Sequence, residues 1–282
     1  MFAYILYKIA YFLCLHVSQK TAYRVAIFFS LLKYNLSPRD RKAVVNNLKR
    51  ILPPSEQDED HIEQCAKEVF INFGKYLVDF FRFSLLKKEN LDSVLKFKGL
   101  QHVDRALKKG KGLIVVTAHM GNWELGGVGM SILGYPVIAV ALPHNYRKIN
   151  SFFNHQREKR GVVVVPSLGL AIRRIYEALK NNKLVALVGD RDFTSAGQKM
   201  DFLGATKIIP RGPAVLALRT GAPIVPAFVI RQKDDTHVVE FEEPIQDLSS
   251  EERIMSQCVK LIEAKIRQYP CQWLMFREFW KE

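Results

Sequence analysis

Residues 112–127 read GLIVVTAHMGNWELGG, and this stretch joins an apolar run to a turn that carries polar side chains. The run from Leu113 to Thr117 predicts a strand that is buried on both faces. His119 and Glu124 follow it at once, on either side of Gly121. In open α/β sheets, ligands bind in the crevice beyond the carboxyl ends of the strands. The stretch therefore predicts both an α/β fold and the place of its functional site.

Apolar runs of the same kind recur along the rest of the chain, and segments of helical pattern separate most of them. Near-continuous apolar strands that alternate with helices indicate an α/β fold with a central, mostly parallel sheet flanked by helices. An amphipathic helix follows from about residue 250 to 268. The predicted strands are residues 94–99, 112–118, 135–142, 162–166, 183–189, 222–230 and 237–244.

The first 85 residues show helical patterns and no strand pattern. Ser37, Pro38 and Asp40 predict the start of a helix, with Ser37 as the N-cap and Asp40 as its partner in a capping pair. Residues 57–83 carry one broad apolar stripe and predict a further helix. We therefore divide the chain into an N-terminal helical region, residues 1–85, and an α/β domain, residues 86–282.

The N-terminal region contains two apolar segments, residues 2–17 and 22–34, with basic residues within and after them. The first is shorter than the roughly 20 apolar residues of a free-standing bilayer span. It also lacks the basic start and the cleavage site of a signal peptide. Apolar helices flanked by Lys and Arg favour a region that associates with the cytoplasmic face of a membrane. The alternative is helices that pack on the domain core and expose a basic flank.

Charge is distributed unevenly along the chain, which has 42 Lys+Arg against 28 Asp+Glu and a net charge of +14. Residues 1–50 contribute +8 of this excess and residues 147–180 contribute +6, so the remainder is balanced. Such an excess indicates a negatively charged partner, which is nucleic acid, an anionic membrane or a phosphorylated substrate. The basic residues are not set in an RRM, KH or helix-turn-helix pattern, and this argues against nucleic acid.

His119 and Glu124 are the candidate catalytic pair. An imidazole held by a carboxylate is a general base for a hydroxyl, and we expect a turn at Gly121 to bring Glu124 back to His119. The chain has no G-x-S-x-G elbow and no cysteine in this motif, so the reacting hydroxyl is expected to come from a substrate. The alternatives are a core histidine beside a capped helix start, and a hydrolase in which the pair activates water. The four cysteines show no metal-ligand spacing and predict reduced thiols.

The motif resembles the H-x4-D/E motif of glycerolipid-type acyltransferases. Its HMGNWE form is most similar to that of the bacterial lipid A biosynthesis acyltransferases, the late lauroyl and myristoyl transferases, and of relatives that acylate phosphatidylinositol mannosides. Many lauroyl transferases have Asp where this chain has Glu124, which leaves the acyl acceptor open. Further segments resemble the family in the same order, namely residues 47–53, 190–192, 202–204, 210–214, 221–226 and 272–277.

The resemblance implies a membrane-associated O-acyltransferase with a glycerolipid acyltransferase-like fold. A fatty acyl group would move from a thioester, on acyl carrier protein or coenzyme A, to a hydroxyl of a glycolipid similar to a lipid A precursor. His119 would be the general base and Glu124 would orient it, with no cofactor besides the acyl co-substrate. A lysophospholipid or other glycerolipid acceptor is the alternative. The implied location is the cytoplasmic face of the bacterial inner membrane, with no nucleic-acid partner.

Three arginines are candidates for binding substrate phosphates. Arg157 and Arg160 are three residues apart on a predicted helix, so they share a face, and Arg binds phosphate bidentately. Arg211 stands at a predicted helix start, where a phosphate also binds favourably. The alternatives are a solvated basic helix for the segment with Arg157, and a structural capping role for Arg211.

Asn122, Asp190 and Asp192 complete the predicted substrate-binding residues. Backbone N–H groups near Gly121 and Asn122 are candidate donors to the oxyanion of an acyl-transfer intermediate. Asp190 and Asp192 are expected to orient Arg157 or to contact the acceptor. A magnesium site is the alternative for two carboxylates two residues apart, but no further acid or His joins them, so no metal is expected.

Overall fold

The computed structural model describes residues 2–167, 171–192 and 196–281. Within these residues, seven strands form the central sheet and two more form a separate hairpin. The strands are β1 (Leu95–Lys98), β2 (Leu113–Thr117), β3 (Val137–Ala141), β4 (Val163–Pro166), β5 (Leu184–Val188), β6 (Gln198–Phe202), β7 (Ala205–Ile209), β8 (Ile224–Arg231) and β9 (His237–Phe241).

The central sheet has the strand order β1-β9-β8-β2-β5-β3-β4. Neighbours from β8 to β4 are parallel, β9 runs antiparallel to β8, and β1 is parallel to β9. All seven predicted strands are present, and the mostly parallel sheet is confirmed. The hairpin β6–β7 was not predicted, because its strands mix Lys and Asp with apolar residues and lie outside the sheet.

The first 85 residues were predicted to be helical, and four α-helices lie there: α1 (Phe2–His16), α2 (Gln19–Leu36), α3 (Pro38–Ile51) and α4 (Glu59–Phe81). Ser37 is the N-cap of α3, but its side chain makes no capping hydrogen bond. Asp40 instead forms an ion pair with Lys33 at 3.2 Å, so the predicted capping pair is wrong. Asp58 caps α4 by accepting a hydrogen bond from the His61 backbone N–H at 2.8 Å.

The remaining helices cover both faces of the sheet. Side chains of β2 alternate between two core clusters, with Ile114 in one and Val115 in the other. The first cluster also contains residues of α9, α10 and α11, and the second contains residues of α6 and α7. These helices are α5 (Lys88–Leu91), α6 (Leu100–Leu107), α7 (Trp123–Ile132), α8 (Arg147–Glu158), α9 (Ala171–Lys180), α10 (Gly212–Thr220) and α11 (Glu251–Gln268).

The N-terminal helices pack on the same cores as the sheet. Tyr34 and Phe70 belong to the cluster that contains Ile114, and Tyr23 and Phe80 belong to the cluster that contains Val115. Helix α2 lies against α4, and at Gly74 the two helices approach so closely that a Cβ atom would collide with the Ser30 hydroxyl. The predicted boundary between two domains at residue 85 stays a prediction.

The outward faces of α1 and α2 are apolar. Ten apolar side chains on these outward faces are each at least 41% exposed, and we call them together the apolar face. In the described residues, no helix combines the length and the hydropathy that a membrane span requires. The apolar face consists of Ile5, Leu6, Ile9, Phe12 and Leu13 of α1, and Val25, Phe28, Phe29, Leu32 and Leu36 of α2.

Two of the four cysteines are paired, which corrects the prediction of reduced thiols. Cys65 of α4 forms a disulfide with Cys271, and their Cα atoms are 5.2 Å apart. Cys14 and Cys258 are buried free thiols. The sequence could not show this pair, because its members are 206 residues apart and only the packing of α4 on the end of the chain brings them together.

A larger side chain at Gly74 is expected to separate α2 from α4. Gly74→Val places its methyl groups against Ser30 and the carbonyl of Ala26, and overpacking of this kind costs about 1–3 kcal/mol. Denaturant unfolding of the two chains measures the difference. The control is Gly212→Val, where an added Cβ would meet no atom within 4 Å and the backbone is not left-handed. Equal stability of Gly74→Val and the parent chain would contradict the close packing.

Candidate active site

The turn after β2 is held by backbone hydrogen bonds on both sides. The Leu274 N–H donates to the His119 carbonyl at 2.8 Å, and the Gly121 N–H donates to the Gln272 carbonyl at 2.9 Å. Gly121 has φ 56°, a left-handed conformation that favours glycine, and a Cβ there would collide with the carbonyl oxygen of Val229. The turn is therefore fixed between β8 and the end of the chain.

His119 is bound by Asp190, which follows β5. The distance from His119 Nδ1 to Asp190 Oδ1 is 2.7 Å, and the His119 backbone N–H donates to Asp190 Oδ2 at 3.1 Å. Trp273 Nε1–H donates to the same Oδ2 at 2.8 Å. The Asp190 side chain is fully buried, whereas that of His119 is 23% exposed. The carboxylate thus fixes the ring while one edge of the imidazole stays accessible.

The charge state of Asp190 follows from these contacts. Burial by itself raises the pKa of this carboxyl, but the attraction of His119 and the hydrogen bonds from His119 and Trp273 bring it below its ordinary value. An ionised Asp190 accepts a hydrogen bond from Nδ1–H, so Nε2 is the nitrogen of the neutral ring that carries no proton. This arrangement matches the His–carboxylate pair of a general base.

The predicted pairing of Glu124 with His119 is wrong. Both carboxylate oxygens of Glu124 accept hydrogen bonds from Arg157, from Nε at 2.8 Å and from Nη2 at 2.5 Å. The reason lies in the sheet register, because Thr117 of β2 is paired with Val188 of β5. His119 and Asp190 each lie two residues beyond that pair, so they meet at the sheet edge. Glu124 is already in the first turn of α7 and faces α8 instead.

Arg157 is therefore not an open phosphate site. Its side chain is 9% exposed, pairs with Glu124 and donates from Nη1 to Asn154 at 2.9 Å. Burial by itself lowers the pKa of Arg157, but the Glu124 carboxylate raises it above its ordinary value, so the guanidinium stays charged. The expectation that Asp190 or Asp192 orients Arg157 is also wrong, because Glu124 does so.

Asn122 is a buried structural residue in this turn rather than a substrate contact. Its side chain is fully buried, its Oδ1 accepts the Leu125 N–H at 3.1 Å as the N-cap of α7, and its Nδ2 donates to Asp79 at 3.1 Å. Its backbone N–H donates to the Val229 carbonyl at 3.3 Å. Since the Gly121 N–H is also engaged, neither backbone group stands ready as the predicted oxyanion donor.

The Asn122 side chain belongs to a buried polar cluster. Arg231 Nη2 donates to Asp79 at 2.5 Å, and the Tyr23 hydroxyl donates to the other oxygen of the same carboxylate. His237 is fully buried, with Nε2 3.6 Å from Asp79, and neither ring nitrogen has a hydrogen-bond partner among the described residues. Burial lowers the pKa of His237 to about 4, against the attraction of Asp79. Sequence reasoning missed this cluster, because its members are spread from α2 to β9.

The other predicted binding residues have partners of their own. Arg160 donates from Nη2 to the carbonyl of Ser84, and Arg211 forms an ion pair with Glu251 at 2.7 Å. Asp192 accepts the Gly197 backbone N–H at 3.3 Å. Substrate binding by these three residues stays a prediction. In the described part of the chain, no group of three or more His, Cys, Asp or Glu is arranged to hold a metal ion.

Next to the turn, an apolar cavity of about 50 Å³ lies between α7 and the sheet. Trp123, Gly127, Val137 and Val229 are among the residues that line it. A Cβ at Gly127 would be 4.0 Å from the nearest atom, on Val137, so the glycine leaves this side of the cavity open. Trp123 also contacts His119 edge to face, with ring centroids 5.2 Å apart. The candidate base and the apolar cavity therefore adjoin each other.

Comparison with known proteins identifies the family of this chain. The family model of the bacterial lipid A biosynthesis acyltransferases matches residues 2–282. The chain belongs to this family. The resemblance seen in the sequence is confirmed, and the protein is an acyltransferase of this family.

Named relatives include enzymes of two kinds. The phosphatidylinositol mannoside acyltransferase of Mycolicibacterium smegmatis is 27% identical over 83% of this chain and 77% of its own length. The enzyme of that name from Mycobacterium tuberculosis is 32% identical over 64% of this chain and 58% of its own length. The lipid A biosynthesis palmitoleoyltransferase of Escherichia coli is 24% identical over 83% of this chain and 76% of its own length.

The buried His237 predicts acid sensitivity of the acyltransferase. Its pKa is about 4 in the folded chain and about 6.5 in the unfolded chain, so only the unfolded chain takes up a proton between these pH values. Stability is therefore complete above about pH 6.5 and falls by up to ~3 kcal/mol towards pH 4 through this group. Urea unfolding from pH 7 to 4.5 in detergent measures the loss, and His237→Leu is expected to make it smaller. Equal pH dependence of the two chains would contradict a buried neutral imidazole.

Proposed function

We propose that this protein is a membrane-associated O-acyltransferase that moves a fatty acyl group from a thioester to a hydroxyl of a glycolipid. The observation that carries the proposal is the pairing of His119 with the buried Asp190 at the carboxyl end of β2. The thioester is carried by acyl carrier protein or coenzyme A, and no further cofactor takes part. The acceptor is a glycolipid similar to a lipid A precursor or a phosphatidylinositol mannoside.

In this proposal, His119 Nε2 removes the proton of the acceptor hydroxyl as its oxygen attacks the thioester carbonyl. The new C–O bond forms, the carbonyl becomes an oxyanion, and the C–S bond then breaks. The thiolate leaves and takes the proton back from the imidazolium, so proton and electron pair are both accounted for. Asp190 orients the ring and stabilises its protonated form, because its negative charge lies 2.7 Å from Nδ1.

Glu124 and Arg157 act together as positioning residues. Their bidentate pair links the first turn of α7 to α8, and both side chains are at least 88% buried. It also holds Trp123 beside His119 and next to the apolar cavity. The walls of the cavity are apolar, which is compatible with contact to part of a hydrocarbon chain. The positive charge of residues 147–180 was expected to bind substrate phosphates. Since Arg157 is buried and paired, this role falls to exposed side chains such as Arg147, Lys148 and Lys159 at the two ends of α8.

Replacing His119 with Ala is expected to reduce acyl transfer by about 10²–10⁴-fold, because a general base contributes that much. Asp190→Asn is expected to reduce kcat by about 10²-fold or more, since the ring loses both its orientation and its counter-charge. Transfer of labelled acyl groups from acyl carrier protein and coenzyme A to a panel of glycolipids and lysophospholipids measures both effects.

His61→Ala and Asp60→Asn are the matched controls, because both residues lie at the start of α4, away from β2. Asp60 is exposed, and the His61 side chain is 43% exposed. Both variants should leave turnover within about twofold of the parent, as surface changes usually do. Near-normal turnover of both His119→Ala and Asp190→Asn would contradict the mechanism. Release of free fatty acid at the same rate with and without acceptor would instead identify a hydrolase.

We propose further that the apolar face of α1 and α2 lies on the cytoplasmic surface of the bacterial inner membrane. Phe28 and Phe29 are 63% and 59% exposed, and a contiguous exposed apolar surface of this kind marks a site of contact with lipid or protein. Exposed Lys8, Lys20 and Arg24 stand on the same two helices and attract anionic headgroups. A lipid acceptor would reach the site from this surface.

Phe28→Ser combined with Phe29→Ser is expected to weaken binding to vesicles by about tenfold or more, because each ring loses apolar burial in the lipid. Co-sedimentation with vesicles of phosphatidylglycerol and phosphatidylethanolamine measures it, and binding of the parent should fall with added salt. The matched control is Ile172→Ser with Leu218→Ser, which are 48% and 45% exposed on α9 and α10. Equal binding of the two double variants would contradict the proposed membrane surface.

A further inference from the structure

Asp79 of α4 is a buried carboxylate at which four parts of the chain meet. Its oxygens accept hydrogen bonds from Tyr23 of α2, Arg231 at the end of β8 and Asn122 of the turn after β2. Its side chain is 5% exposed and that of Arg231 is 6% exposed, so neither reaches solvent or a substrate to any extent. An ion pair this deeply buried seldom adds stability over apolar side chains of the same volume. Its retention in the core therefore points to a role beyond packing.

We propose that Asp79 is a positioning residue of the acyl-transfer site, which acts by supplying the acceptor oxygen that fixes the Asn122 side chain. This inference rests on the proposed function. It concerns residues that touch neither the acyl group nor the acceptor, and it assigns the N-terminal helical region a part in the geometry of the site.

Asp79 sets the orientation of the Asn122 amide. Its Nδ2 donates to Asp79, and this turns Oδ1 towards the Leu125 N–H, which it caps. The first turn of α7 begins at this cap and carries Trp123 and Glu124. Loss of the Asp79 acceptor leaves a buried amide N–H without a partner, which favours another side-chain orientation and weakens the cap.

The ion pair of Asp79 with Arg231 also reaches the other side of His119. Arg231, held by Asp79, exchanges two hydrogen bonds with the Gln272 side chain, one through its backbone N–H and one through its carbonyl, both at 2.9 Å. The Gln272 carbonyl in turn accepts the Gly121 N–H, and the next residue, Trp273, donates to Asp190. The same ion pair therefore touches both segments that hold the histidine.

Two double variants isolate the acceptor oxygen. In Asp79→Leu/Arg231→Met the buried pair becomes apolar, a replacement that proteins often tolerate, and Asn122 has no acceptor. In Asp79→Asn/Arg231→Met the charges are removed as well, but the amide oxygen at position 79 still accepts from Asn122. The two differ at a single side chain, so global effects of losing the ion pair are shared between them.

Steady-state kinetics with a detergent-dispersed acceptor is the first measurement. Asp79→Leu/Arg231→Met is expected to lower kcat by about tenfold or more, with KM changed by less than about threefold, because a small misplacement of catalytic groups slows chemistry rather than binding. Asp79→Asn/Arg231→Met is expected to have a kcat about fivefold or more above that of Asp79→Leu/Arg231→Met, because the amide oxygen at position 79 still accepts from Asn122. Equal kcat values for the two double variants would overturn the proposal.

Hydrogen exchange of the amides is the second measurement and needs no substrate. Exchange in residues 119–126 is expected to be about tenfold faster in Asp79→Leu/Arg231→Met than in Asp79→Asn/Arg231→Met, while β5 is equally protected in both. Unchanged exchange in residues 119–126 would overturn the proposal even if the protein proved to catalyse another reaction. Conversely, faster exchange with a fully active His119→Ala would sustain the positioning role and reject the proposed chemistry.

Asn122→Ser gives the same test with the buried ion pair intact. Serine retains a capping oxygen for α7 but has no amide to reach Asp79. We expect about a tenfold loss of kcat and faster exchange in residues 119–126, with β5 unaffected. If Asn122→Ser has the kcat and the exchange pattern of the parent chain, the contact with Asp79 does not position the site.

Discussion

The site depends on one buried charge, that of Asp190. Removing a carboxylate from water is costly unless its oxygens are hydrogen-bonded and its charge is offset. Three donors meet this requirement, namely the ring and the backbone N–H of His119 and the indole N–H of Trp273. Each comes from a different constraint: the register of β2 against β5, the tight turn after β2, and the return of the chain end across the sheet. Because two of these donors belong to His119, the contacts that stabilise the buried carboxylate also fix the position of the histidine.

Much of the fold could be predicted from the sequence. The strands could be predicted because β2 and its neighbours are buried on both faces, which leaves continuous apolar runs such as LIVVT in residues 113–117. The N-terminal helices could be predicted from their helical patterns. The hairpin β6–β7 was not, since it lies outside the sheet and carries Lys199 and Asp201 on strands of alternating exposure. The capping pair at Ser37 failed because Lys33 competes for Asp40.

Only part of the candidate site could be predicted from the sequence, and the reason is related. His119 could be found because it directly follows a strand, which is local information. Its partner could not, because the choice between Glu124 and Asp190 depends on which strand lies beside β2. The segments that resemble the family include Asp190, in residues 190–192, and Trp273, in residues 272–277. Their spacing in the sequence does not show that they contact each other or His119. The prediction for the basic segment was likewise wrong at Arg157, whose positive charge is paired with Glu124 inside the fold.

The return of the chain end has a consequence for biosynthesis. Trp273 and Leu274 contribute hydrogen bonds to Asp190 and His119, and they lie within the last ten residues of the 282-residue chain. Chains are synthesised from the N-terminus, so these residues leave the ribosome after helices α1 and α2 and after His119. The apolar helices α1 and α2 have therefore emerged before the histidine acquires its complete set of partners. The apolar face is therefore available for contacts before the partners of His119 are complete.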